Sequence, residues 1–527
     1  MPANPGPSRS QTRLVDNRAP MRLLAAFIFI TLPWLNPFSP GPSSAVVPLL
    51  FAWGCAAGLL LLWASAHLKP QRPNWVSAMA AAWLVAAAVS AVIGLLQYFG
   101  ASAWLGQWVN HTGMGEAYGN LRQRNQFATL INIGLVALLW WVAQAADPRR
   151  RFMPLRPGAT SVLTLAMAVL LGAGNAASSS RTGLLQLLLV VVLGLYWQHR
   201  TRHHGDSNHA RLALQRVLLA AVLAYAAATW ALPWLAGLDP MQSGAWARLR
   251  SGDAVCTSRL TLWRNVLTLI AQKPWLGWGW GELDYAHFIT LYPGARFCDI
   301  LDNAHNLPLH LAVELGVPLA VVLCGGGLWL AWRAQPWREL DPGRRMAWGI
   351  LAVILLHSLL EYPLWYGPFQ MATGLCVWLL VSKKSPAKRS VAPYLQAVAA
   401  GVLLTFCALA GWQYHLASQI YLSPEKRAPA YRNNTLDKIS DVWLYQDQVR
   451  FAKLTTTDLA PDNAVQMNLL AKEMLHFSPE AKVAEIVIDS ALLLGRDAEA
   501  AFYLARLEAA FPKDHADWRK THDTIDQ

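Results

Sequence analysis

Asn303-Ala304-His305-Asn306-Leu307-Pro308-Leu309-His310 stands where a long, mostly polar segment, 235–303, gives way to an apolar run reaching residue 332. Downstream, Leu360-Glu361-Tyr362-Pro363-Leu364-Trp365-Tyr366 forms a polar notch between two more apolar runs. An imidazole, amides and a carboxylate at the ends of lipid-soluble helices are costly unless they are partnered or used. The stretch from 235 to 361 therefore organises the reading of the chain. It describes an all-α polytopic membrane protein whose polar chemistry is gathered at helix ends.

Composition supports this. Of 527 residues, 54% are hydrophobic and 14% charged, with 26 tryptophans, and the mean hydropathy is +0.27. An ordinary soluble domain carries about 25% charged residues. A net charge of +13 is compatible with nucleic-acid binding. The Lys and Arg residues, however, sit in short clusters between apolar spans, where orientation signals belong, and nucleic acid is set aside.

The apolar spans are 21–35, 45–64, 75–98, 127–142, 161–175, 182–196, 212–233, 306–332, 346–360, 364–381 and 394–412, giving about 11 transmembrane helices. The first is read as an uncleaved helix rather than a signal peptide, since further spans follow it. Every second connection is basic: the N-terminal tail, Lys69 with Arg72, Arg149 to Arg151 with Arg156, Arg200 with Arg202, Arg211 and Arg216, Arg333 with Arg338, Arg344 and Arg345, and Lys383, Lys384, Lys388 and Arg389. The positive-inside rule then makes the N-terminus cytoplasmic. It puts loop 98–126, turn 178–181, the long loop 235–305, the Glu361 notch and everything after 412 outside. The expected organisation is a cytoplasmic tail 1–20, a transmembrane region 21–412 containing the long loop, and a small helical C-terminal domain 413–527.

In that tail, two amphipathic helices meet at Gly495. They fit either a cap over the long loop or a peptide-binding groove. Of six cysteines, Cys55, Cys324, Cys376 and Cys407 lie in apolar spans and read as small hydrophobes. Cys256 and Cys298 share the long loop, where an oxidising exterior permits a bridge.

Four groups of residues can carry chemistry. His305 lies among Asp302, Asn303 and Asn306, with Pro308 setting it at the start of the next span; a helix beginning there favours the neutral imidazole that a general base needs. His310 falls on another face and reads as structural. Arg181, in Ser180-Arg181-Thr182-Gly183, and Arg259, in Ser258-Arg259-Leu260-Thr261-Leu262-Trp263, are cations on the outer side, against the orientation trend. Their partners are lipid phosphates, Asp253, or a bound diphosphate gripped by planar guanidinium groups. Gln123 and Asn125, in the amide-rich run 119–126, suit sugar hydroxyls or, alternatively, a helix cap. Glu361 and Tyr362 can orient His305 or an acceptor hydroxyl, or anchor the interface. Asp299, Asp302 and His305 match no known metal-loop spacing.

Taken together, these units resemble the O-antigen ligase and polymerase superfamily, and within it the bacterial protein O-oligosaccharyltransferases, or pilin glycosylation ligases. The resemblance rests on Gly119-Asn120-Leu121-Arg122-Gln123-x-Asn125, on Ser180-Arg181-Thr182-Gly183, on Ser258-Arg259 with Trp263 and Pro274-x-x-Gly277-x-Gly279, on His305-Asn306-Leu307 with Glu314-Leu315-Gly316, and on His357-Ser358-x-x-Glu361-Tyr362-Pro363-Leu364. It runs from about 119 to 381 and leaves the tail uncovered.

It implies transfer of a preassembled glycan from undecaprenyl diphosphate, at the periplasmic face of the bacterial inner membrane, to a Ser or Thr hydroxyl of pilin or another exported protein. His305 would be the base and Arg181 and Arg259 the diphosphate clamp, with Gln123, Asn125, Asn306, Glu361 and Tyr362 contacting substrate. Neither metal nor other cofactor is expected. The rival enzymes are an O-antigen ligase acting on lipid A-core and a polysaccharide polymerase. The non-enzymatic rivals are a lipid-linked sugar transporter and an envelope scaffold. A transporter should line its midplane with polar groups, whereas here they collect at outer helix ends.

Overall fold

The computed structural model of the chain describes residues 19–67, 74–145, 157–201, 208–251, 254–382 and 392–523. The tail 1–18, Asp253 and several of the basic connections, those at Lys69 and Arg72, at 149–156, at Arg202 and at 383–389, lie outside the described residues. Every regular element among the described residues is helical. The first seven are α1 (Ala19–Leu35), α2 (Val46–His67), α3 (Trp75–Tyr98), α4 (Arg124–Ala145), α5 (Pro157–Ala177), α6 (Arg181–Thr201) and α7 (Asn208–Leu235). The long loop contains α8 (Gly244–Ser251), α9 (Arg259–Gln272) and α10 (Leu283–Ile289). Then come α11 (Leu307–Leu315), α12 (Val317–Ala334), α13 (Pro342–Ser358), α14 (Gly367–Val381) and α15 (Ala392–Ser418). The tail holds α16 (Thr435–Lys438), α17 (Gln446–Thr456), α18 (Ala464–Leu475), α19 (Ala481–Leu493), α20 (Asp497–Ala510) and α21 (Pro512–Asp523).

Seven of these helices, α2, α3, α4, α6, α7, α12 and α15, are long and apolar enough to cross a membrane, and α1, α5 and α14 are shorter apolar helices. The protein is an all-α membrane protein. Its centre is α4, which packs against α3, α5, α6, α7 and α13. Because α4 is enclosed on all sides, its polar residues Gln126, Thr129 and Asn132 are buried and must be answered by neighbouring helices.

One expected span is broken. The run 306–332 divides at Gly316, whose φ of +84° favours glycine, into α11 and α12. The loop seals the break. Trp278 N and Gly279 N donate to the last carbonyls of α11, on Val313 (2.8 Å) and Glu314 (3.0 Å), and Val317 N donates to Pro274 O at 2.8 Å. These bonds satisfy helix-end groups that otherwise have no intrahelical partner. The Gly277-Trp278-Gly279 run thus clasps a helix junction, with Trp278 donating from Nε1 to Leu269 O. Trp275 and Trp280 remain exposed.

The long loop has its own core, with Leu262, Val266 and Leu269 of α9 packed on Leu283, Leu301, Ala304 and Val313. The tail covers it. Phe288 of α10 is buried in the core formed by α18, α19 and α20, Arg506 Nε donates to Ile289 O at 3.1 Å, and His476 meets Glu282 at 2.7 Å. The helices expected on either side of Gly495 are α19 and α20. α15 runs unbroken past residue 412 to Ser418 before the tail begins.

A Cβ on Gly316 would stand 2.1 Å from the Trp275 carbonyl oxygen, and one on Gly277 2.4 Å from the Glu314 backbone. Gly316→Ala should therefore destabilise the protein by at least about 1–2 kcal/mol. A lowered thermal midpoint in detergent checks this; an unchanged midpoint contradicts the sealed junction.

Candidate active site

Glu361 follows the end of α13 and is buried. Its backbone N–H donates to His357 O at 2.8 Å, and Pro363 begins a short 3-10 turn that leads away to α14. The side chain is thereby held at the meeting point of three other segments. His305 Nδ1 lies 2.6 Å from Glu361 Oε2. On the other oxygen, Arg259 forms an ion pair, and Asn125 Nδ2 donates at 3.1 Å. Asn125 Oδ1 in turn accepts from Ser180 Oγ at 2.6 Å. One carboxylate thus gathers residues 56, 102 and 236 positions away in the chain.

Each partner is set by local chemistry. Ser258 caps α9 by accepting from Thr261 N, placing Arg259 in the first helical position. His305 has φ +50° and its N–H donates to Asn303 Oδ1 at 2.9 Å, a compact turn just ahead of α11. Asn306 caps α11 and donates from Nδ2 to Leu359 O at 3.0 Å, so both ends of its amide tie the start of α11 to the end of α13. The bridge between Cys256 and Cys298, with Cα atoms 5.2 Å apart, staples the segment before Arg259 to the one leading to His305.

Burial raises the Glu361 carboxyl, but the hydrogen bond from His305 and the charges of His305 and Arg259 outweigh it, and the group is held below the usual carboxylate range. An ionised carboxylate only accepts, so the proton between the two groups belongs to His305 Nδ1, and Nε2 is the ring nitrogen not engaged by Glu361. The His305 ring stands nearly perpendicular to that of Tyr362, with centroids 5.0 Å apart. Burial also raises the Asp302 carboxyl, partly opposed by the positive charge of His305.

Arg181 is linked to this centre through its neighbour Ser180. Its own guanidinium donates from Nε and Nη2 to the main-chain carbonyl of Arg248 at 3.0 and 2.5 Å. Gln123 accepts from Gln126 N at 2.8 Å, capping α4, and shares a small recess with Glu361, Tyr362 and Tyr366. Elsewhere in the amide-rich run, Asn120 donates to the carbonyls of Leu35 and Trp108, and Arg122 donates to Pro37 O. Those residues build the loop. His310 is buried and packs edge-on against Trp365.

The sequence reading passed over a polar layer beneath the recess. His357 Nδ1 lies 2.9 Å from Thr129 Oγ1, and Gln186 donates to Thr129 Oγ1 at 2.8 Å and to Val353 O at 3.1 Å. The available signal was polarity itself, a Gln and a Thr inside otherwise apolar spans.

Comparison with known proteins places this centre in context. A family profile described as "O-Antigen ligase" matches residues 165–324, which hold Arg181, Arg259 and His305. A "Protein glycosylation ligase" profile matches 117–142, holding Gln123 and Asn125. One described as "Virulence factor membrane-bound polymerase, C-terminal" matches 345–525, including Glu361 and Tyr362. Together these matches make the chain similar to the O-antigen ligase superfamily. Its relatives include a "General O-oligosaccharyltransferase" of Acinetobacter baylyi, 24% identical over 278 residues, covering 50% of this chain and 43% of that protein. A "ComP-specific O-oligosaccharyltransferase" of the same organism is 23% identical over 270 residues, covering 50% and 44%. An "O-antigen ligase" of Pseudomonas aeruginosa is 27% identical over 312 residues, covering 58% and 60%. The chain thus spans less than half the length of the two Acinetobacter relatives.

Three outcomes are expected from this geometry. Glu361→Gln, which removes the charge shared by His305 and Arg259, should lower any activity that depends on this site about 100-fold or more. Because the native carboxyl is held low, its pairing with Arg259 should persist above the usual carboxylate range and fail only as pH falls through the depressed value; a wild-type thermal midpoint insensitive to pH as it falls through and below that range would contradict the assignment. Cys256→Ser or Cys298→Ser should cost about 2–4 kcal/mol, read as a lowered melting midpoint that reductant reproduces in the wild type.

Proposed function

We propose that this chain transfers a preassembled oligosaccharide en bloc from undecaprenyl diphosphate to Ser or Thr hydroxyls of pilin or another exported protein, at the periplasmic face of the bacterial inner membrane. The observation that carries this reading is the convergence of His305, Arg259 and Asn125 on the buried carboxylate of Glu361, with Ser180 and Arg181 adjoining. A serine hydroxyl attacks only when its proton has an acceptor, and His305 Nε2 is that acceptor. Glu361 orients the ring through Nδ1 and balances the imidazolium that forms. Arg259 and Arg181 meet the charge that grows on the departing diphosphate. Tyr362 and Gln123, beside the recess, are where the acceptor or the first sugar would touch.

In this proposal the chain crosses the membrane about 11 times, with a cytoplasmic N-terminus and the site, the long loop and the helical tail outside. The bridge between Cys256 and Cys298 supports an oxidising compartment for the loop. No metal or other cofactor is assigned a role. The similarity to an O-antigen ligase supports a second reading, in which lipid A-core is the acceptor and the site works in the same way.

Co-expression with a pilin and a lipid-linked glycan, followed by mass spectrometry of the pilin, tests the proposal. Wild type should add the intact glycan to Ser or Thr. His305→Ala should abolish transfer at normal expression. Glycan appearing only on lipopolysaccharide would favour the second reading, and full activity in His305→Ala would leave the mechanism without its base.

A further inference from the structure

We propose that Arg248 is a third guanidinium of the donor's diphosphate site, held in place by Arg181 through its own main-chain carbonyl. The inference deepens the functional reading above and rests on it.

The argument starts from charge. A diphosphate esterified at both ends, by a polyprenyl chain and a sugar, carries two negative charges. Arg259 is paired with Glu361, and together they sum to zero. Counting Arg181 in full, at least one further cation is needed for neutrality.

Arg248 is the cation we assign to supply it. It lies in the last turn of α8, a helix of sequence Gly-Ala-Trp-Ala-Arg-Leu-Arg-Ser with no acidic residue. α8 packs across α5, α6 and α7, and both Nε and Nη2 of Arg181 hold the Arg248 carbonyl. The Arg248 backbone is therefore held at Arg181, whose neighbour Ser180 connects through Asn125 to Glu361. Arg248 Nη1 is buried and has no hydrogen-bond partner among the described residues. A buried, charged N–H without an acceptor is costly, and the group that relieves it here would be an anion. A guanidinium matches phosphate geometry through paired N–H donors.

A cation in the last turn also complements the helix dipole, and Lys in its place would serve that purpose equally well. The two roles separate in what they bind. The probes are glycan-free undecaprenyl diphosphate and undecaprenyl monophosphate, each titrated against the purified full chain in nanodiscs.

Arg248→Ala and Arg248→Gln should weaken diphosphate binding about 10- to 100-fold and monophosphate binding much less. Arg248→Lys should recover part of the diphosphate affinity. In the transfer assay the donor KM should rise by more than kcat falls. Equal loss for both lipids, full recovery by Lys, or wild-type diphosphate affinity in both neutral variants would overturn the proposal. If Arg248→Ala does not fold, Arg248→Lys and Arg248→Gln carry the comparison. A chain that binds diphosphate through Arg248 yet glycosylates no protein would discredit the acceptor assignment and leave this inference standing.

Discussion

A carboxylate taken out of water must be compensated, and in this protein most of the site follows from how Glu361 is compensated. It sits at the end of α13, with its side chain only 6% exposed. The compensation comes from the long loop, through Arg259 and His305, and from the start of α4, through Asn125. Removing one partner of such a pair typically costs about 3–5 kcal/mol, because the other charge is left buried and alone. The loop is therefore bound to the membrane helices by an interaction that also orients the His305 ring.

Around this pairing the loop is built as a rigid body. α9 and α10 share an apolar core with α11, and the disulfide joins the segment before Arg259 to the segment before His305. The tail buries Phe288 and holds the back of α10 through Arg506 and His476. Rigid support of this kind fits the proposed roles of these residues, since a base and an anion clamp displaced by an ångström lose much of their effect. Of the two forms open to the tail, a cap over the loop and a peptide groove, these contacts supply the cap.

The break at Gly316 serves the same end. A continuous helix from 306 to 332 would have denied the loop this second attachment to the membrane region, beside the one at Glu361. Divided there, α11 offers free carbonyls that Trp278 and Gly279 take up, and α12 offers an N–H that Pro274 accepts. Glycine on each side of the junction permits backbone to meet backbone.

The amino-acid sequence alone determined the helical membrane architecture, because hydropathy over about 20 residues is a local sum that needs no knowledge of neighbours. It also marked His305, Arg181, Arg259, Asn125 and Glu361 as polar groups at helix ends that call for partners. Tertiary structure alone decided who those partners are: Glu361 for His305 and Arg259, Ser180 for Asn125, the Arg248 carbonyl for Arg181, and Thr129 and Gln186 for the layer under His357. It decided as well that Asn306 and Gln123 spend hydrogen bonds on capping helices and that one apolar run is two helices. A hydrogen bond depends on about 3 Å of separation between atoms, whereas the residues that meet at Glu361 lie up to 236 positions apart, a distance across which no local pattern carries information.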